Sequence, residues 1–95
     1  MHCSVWRFVG DPDELERRYV TMIAEVPESN HTLHVAAKTP DGLLLVDTCP
    51  SEEDYHRFFD PGGPGAALLE KYGLEPTTRE DFPVIHAYAA GSRLA

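Results

Sequence analysis

Apolar positions recur with a period of two in some stretches and near 3.6 in others, and the switches between them mark the elements. His2–Val9 sets His2, Ser4, Trp6 and Phe8 against Cys3, Val5, Arg7 and Val9, which predicts a strand. Gly10 stops it. Asp11 can then cap a helix, Pro12 suits the first helical position, and Glu14 falls three residues past the cap. Leu15, Tyr19, Met22, Ile23 and Val26 form one apolar stripe, so the helix is predicted to reach about Val26. Pro27 ends it, and Glu28, Ser29 and Asn30 form a polar link.

Residues 32–38 alternate again, with Leu33, Val35 and Ala37 on one face and Thr32, His34, Ala36 and Lys38 on the other. Thr39-Pro40-Asp41-Gly42 has the chemistry of a type I turn. The third strand, 43–49, has no polar side over Leu43-Leu44-Leu45-Val46, which predicts a central position covered on both faces. Ser51 caps the next helix, and Asp54 closes the capping box. Tyr55, Phe58 and Phe59 give that helix its apolar face. The glycines and prolines of residues 60–65 interrupt it before 66–72 resumes, with Leu68, Leu69 and Tyr72 inward and Gly73 past the end. Residues 74–82 read as a polar connection, 84–89 as the fourth strand and 91–95 as a loose tail.

The order β-α-β-β-α-β is that of a ferredoxin-like α+β domain, and it takes up residues 1–95 as a single domain. A four-stranded antiparallel sheet is expected, with the first and third strands central and the helices on one face. Val5, Val9, Leu33, Val35, Ile85 and Ala87 are expected under the helices. Trp6, Phe8, His34, His86 and Tyr88 fall on the opposite face, which is too apolar for open water. A second copy of the chain is therefore expected to cover that face, giving a two-fold dimer with a barrel-like interior fit for a small ligand.

Composition narrows the partners. Sixteen acidic residues against eight basic ones, a net charge of −8, argue against nucleic acid and against anionic membrane surfaces. No apolar run approaches the roughly 20 residues of a membrane span, and no signal peptide is evident, so the expected compartment is the cytoplasm. Two cysteines, Cys3 and Cys49, do not make a disulfide framework.

The hairpin ending DGLLLVDTCPSEEDYHRFF and the closing FPVIHAY resemble the antibiotic-biosynthesis-monooxygenase-like group of the dimeric α+β barrel superfamily. In segments the resemblance covers about half the chain; in element order it covers all of it. It departs at Cys49, where members of the group often carry Trp, and at the break of residues 60–65. These motifs report turn and cap geometry, and no catalytic residue is carried over with them. The resemblance implies a homodimer binding a small aromatic or polyketide-like molecule, and a cofactor-independent monooxygenase or an isomerase/cyclase as its activity. A non-catalytic ligand-binding or accessory dimer is the alternative.

Within that picture His34, His86 and Tyr88 are the catalytic candidates: imidazoles to move a proton of a bound phenol or enol, a phenol to stabilise an oxyanion. Trp6 and Phe8 offer stacking surface, and Asp47 can orient a histidine or hold a substrate hydroxyl. Each has a plainer reading, as a locally bonded histidine, a core aromatic, or an aspartate bonded to backbone. Cys49 precedes a helix start, where a thiol pKa can fall, or is a small buried filler, and residues 60–65 can act as a lid or simply break the helix. No metal and no cofactor is expected. His31 and His34 are three apart, a spacing that points to opposite faces of a strand, and no tetrahedral ligand set stands out.

Overall fold

The computed structural model describes residues 1–95. Its elements are β1 (His2–Val9), α1 (Pro12–Ile23), a 3₁₀ turn (Glu28–Asn30), β2 (His34–Thr39), β3 (Gly42–Cys49), α2 (Glu52–Phe59), α3 (Pro64–Lys71), β4 (Thr78–Pro83), and a short hairpin of β5 (Tyr88–Ala89) and β6 (Ser92–Arg93). The fold is α+β. Four strands form one antiparallel sheet in the order β2-β3-β1-β4, so the first and third strands are central as expected.

The caps act where the sequence put them. Asp11 accepts from the Asp13 N–H at the start of α1, and the Ser51 hydroxyl accepts from the Asp54 N–H at the start of α2. Helix α1 ends at Ile23, three residues short of the expected end. There the Glu25 and Val26 amides bond three residues back, to Met22 and Ile23, tightening the chain ahead of Pro27. The break in the second helix is real, and α3 starts on Pro64. Strand β2 begins only at His34, and just before it the Leu33 carbonyl accepts from the Thr48 hydroxyl at 3.1 Å.

Two expectations are corrected. The fourth sheet strand is Thr78–Pro83, inside the stretch read as a polar connection, and residues 84–89 lie beyond it. An edge strand needs only one apolar face, and this one is held by long-range pairs instead. Arg79 Nε donates to the Tyr55 hydroxyl at 2.8 Å, and Asp81 meets His2 at 2.7 Å. Pro83, with no N–H to give, sits at its exit.

The second correction concerns the faces. His2, Ser4, Trp6 and Phe8 are buried under the helices, while Val9 (62% exposed) and Val35 (49%) lie bare. Trp6, Phe8, Leu43 and Leu45 form one core with Tyr19 and Met22 of α1, Tyr55 of α2, Leu69 of α3 and Leu74. Both faces of β1 and β3 are apolar, so alternation alone does not choose between them. The larger area of Trp6 and Phe8 decides, because more apolar surface leaves water that way. Truncating Trp6 to Ala is expected to cost about 3–5 kcal/mol.

Gly42 shows how closely the chain packs at the hairpin turn. A Cβ there would lie 1.7 Å from the Phe8 carbonyl oxygen, and the Gly10 amide bonds the neighbouring Asp41 carbonyl at 2.9 Å.

Candidate functional site

Antiparallel register places His34 opposite Asp47, Asp47 opposite Ser4, and Ser4 opposite Asp81. Directly paired residues share a face, so these four make one polar row across the sheet, under the helices and at one end of it. In the next row inward, Ala36, Leu45, Trp6 and Arg79, the two central residues Leu45 and Trp6 already belong to the apolar core.

At the β2–β3 end of the polar row a chain of hydrogen bonds forms. The Tyr19 hydroxyl lies 2.6 Å from His34 Nε2, and His34 Nδ1 lies 3.2 Å from Asp47 Oδ1. Burial, with the Asp47 charge second, raises the Tyr19 pKa above its ordinary value. In the Nδ1–H tautomer of His34 the phenol donates to Nε2. That tautomer directs its Nδ1–H at the Asp47 carboxylate, which accepts it. His31 joins from the segment ahead of β2, its ring centroid 4.9 Å from that of His34.

These groups sit beside an open groove of about 440 Å³, within the range of ligand sites. His31, Thr32, Asp47, Cys49, Arg57 and Phe58 are among the residues that line it. His31, Asp47 and Phe58 also line an apolar crevice of about 60 Å³ beneath it, together with Trp6 and His34. A larger groove, about 520 Å³, opens elsewhere over Trp6, Leu69, Leu74 and Arg79. It holds no histidine, and its guanidinium is already bonded to Tyr55 and Asp60, so the smaller groove is the better chemical candidate.

The structure brings together His34, Asp47 and, at the crevice wall, Trp6. The Trp6 indole N–H donates to the Tyr55 hydroxyl at 3.2 Å. Phe8 is 2% exposed and lines no cavity. His86 and Tyr88 follow β4, are exposed, and stack on each other with centroids 6.2 Å apart, away from all three cavities.

Three participants were not read as such from the sequence. Tyr19 looked like one more residue of an apolar stripe, though a buried phenol needs a partner for its hydroxyl. His31 was set aside by strand alternation, which does not apply because β2 has not yet begun at that residue. Arg57 carried no signal beyond helix position.

Cys49 is corrected. Burial first, then the Asp47 and Asp54 carboxylates, push its thiol up to about 11, against the helix-start effect. It is a groove wall and not an activated nucleophile. No helix of the chain is long and apolar enough to cross a membrane. No protein-family model, curated protein or solved structure matches this chain.

Proposed function

We propose that this chain is a ferredoxin-like βαββαβ domain that pairs with a second copy through its bare sheet face and binds a small aromatic molecule carrying a phenol or enol. The ligand lies in the groove above Asp47, with its ring toward Phe58 and its hydroxyl on the Asp47 carboxylate. Asp47 accepts the hydroxyl proton while His34 and Tyr19 hold that carboxylate in place from behind. Such proton removal is the step that oxygenase and isomerase/cyclase chemistry on these molecules would share. The observation that carries the reading is the Tyr19–His34–Asp47 chain ending on a groove of about 440 Å³.

Binding without turnover is the second reading. It is favoured by one fact, that both ring nitrogens of His34 already have partners inside the chain. The two are separated by titrating simple phenols and enols into protein kept in chelator and following backbone amide shifts. Shifts clustered at residues 30–32 and 47–49, lost in Asp47→Asn, support the groove as the ligand site. Shifts elsewhere, or none, defeat it. Turnover of a bound ligand that stops in Asp47→Asn marks an enzyme.

Support for the dimer comes from the bare face. Register aligns Val35, Val46 and Val5 across three strands, with Phe82 and Val9 also exposed nearby. Sedimentation is expected to give a dimer of the 10.6 kDa chain. Val35→Glu, at a position already half exposed in one copy, is expected to give a folded monomer. A wild-type monomer at micromolar concentration would refute the pairing.

A further inference from the structure

We propose that His31, His34 and Asp47 bind a divalent first-row transition ion at the floor of the groove. This deepens the functional reading, since it takes the same groove as the place where the ligand meets the chain.

Each of the three residues offers one donor atom, and the donors all lie within 4.8 Å of one another. His34 Nδ1 and Asp47 Oδ1 are 3.2 Å apart. Donors of one tetrahedral zinc at about 2.1 Å stand about 3.4 Å from each other, so one edge of the set is already at ligand spacing. Only His31 has to close in. It precedes β2 and follows the 3₁₀ turn, so no sheet pairing holds its backbone. All three residues are half-buried, which shields them from water without sealing them.

The surroundings match what a metal-bound imidazole requires. A ligating histidine usually has its second nitrogen held by a neighbour that fixes the ring. Here Tyr19 holds Nε2 at 2.6 Å from a buried position on α1. When the ion takes Nδ1 the imidazole changes tautomer, its one proton moving to Nε2, and that Nε2–H donates to the Tyr19 oxygen, which turns from donor to acceptor. Two histidines and one carboxylate, with the remaining positions facing the groove, form a set with open coordination sites rather than a closed structural one. Two neutral imidazoles and one carboxylate leave a dication with one unbalanced positive charge. The open positions therefore favour an anionic oxygen, and a phenolate or enolate is the matching ligand.

The other set of donors, His2, Glu52 and Asp81, is less suited. His2 is 5% exposed with its Nε2 bonded to Asp81, and Glu52 is on the solvent side.

The test uses the intact chain, freed of any affinity tag and stripped with chelator, titrated with Co²⁺ and then with Zn²⁺. One equivalent of Co²⁺ is expected to bind and to give visible absorption, which Zn²⁺ abolishes. His31→Ala is expected to weaken binding by more than the roughly 10–100-fold that outer-shell changes cost, and Tyr19→Phe by about that amount. Cys49→Ser and Glu52→Gln are expected to bind as the wild type does. Asp47→Asn is a supporting variant. If it unfolds, His31→Ala decides alone, since it removes no buried bond. No saturable Co²⁺ binding overturns the proposal. So does binding lost in Cys49→Ser or Glu52→Gln and kept in His31→Ala, because the ion then sits on other donors. The phenol titration in chelator is scored separately. Phenol binding without Co²⁺ binding sinks the metal and leaves the groove reading standing, and the reverse result sinks the phenol reading alone.

Discussion

Two histidine–aspartate pairs stand at opposite ends of one row of the sheet, and they have different fates. His34 and Asp47 are direct cross-strand partners on β2 and β3. His2 and Asp81 meet diagonally across β1 and β4, with Ser4 between the two pairs in register. The residue types and the face are the same. What differs is access. Asp47 opens on a groove, beside His31. His2 is sealed against Tyr55, with ring centroids 5.5 Å apart, and its Nε2 is bound to Asp81 at 2.7 Å. The sealed pair fastens the edge strand, which sequence pattern alone did not assign to the sheet. A side chain's chemistry thus becomes function or scaffold according to what lies above it.

Breaking the comparison at the sealed end should have the largest effect. His2→Ala leaves Asp81 without its partner and opens space against Tyr55. We expect a loss of about 2–4 kcal/mol, from the lost hydrogen bond to a carboxylate and the space left against Tyr55, and no change in phenol or Co²⁺ binding. Urea unfolding measures the first, and a loss under about 0.5 kcal/mol would mean that the pair does not hold β4. At the open end, Tyr19→Phe removes one hydrogen bond and is expected to cost about 1 kcal/mol, together with the binding losses described above. His31→Ala should stay within about 0.5 kcal/mol of wild type while losing metal, which separates a site residue from a scaffold one in a single variant.

The smallest effect is electrostatic and belongs to α2. A hydrogen bond to the Asp60 carboxylate, with Glu52 and Asp81 assisting, raises the His56 pKa above its ordinary 6.5. A raised histidine contributes stability that is complete below the unfolded value and is lost as pH rises through the folded one. Wild type minus His56→Gln should therefore show a small stability difference at pH 5 to 6 that fades toward pH 8. A difference that grows with pH would contradict the assignment. The side chain is solvent-exposed, so added salt should shrink the effect.

Much of this architecture was legible in the residues. Asp11 and Ser51 announce their helices, Pro40 to Gly42 announces the hairpin, and the Leu43–Val46 run announces a central strand. Strand 78–83 was hidden because Arg79 and Asp81 are held by Tyr55 and His2, partners 24 and 79 residues away. No local period records such pairs. The choice of face was hidden because Val5 and Val46 are as apolar as their neighbours, and only the bulk of Trp6 and Phe8 tips the balance. At the site, His34 and Asp47 were within reach of pattern reading. His31 was not, because alternation was applied where no strand exists.

The glycine at the hairpin turn has a consequence for how this protein can vary. With the Phe8 carbonyl filling the space of a side chain at position 42, that end of the sheet admits neither a larger residue nor a shift of register. The groove lies at the other end, walled by residues 30–32 before β2 and by Pro64 after the glycine-rich break. Gly62, in that break, has nothing within 4 Å of where a Cβ would be, although its positive φ still favours glycine. Libraries built to change the ligand should therefore diversify Asn30, Thr32 and the length of 60–63, keep His31, and leave 39–42 alone. One tip of the molecule can drift in sequence while the other keeps the strands in line.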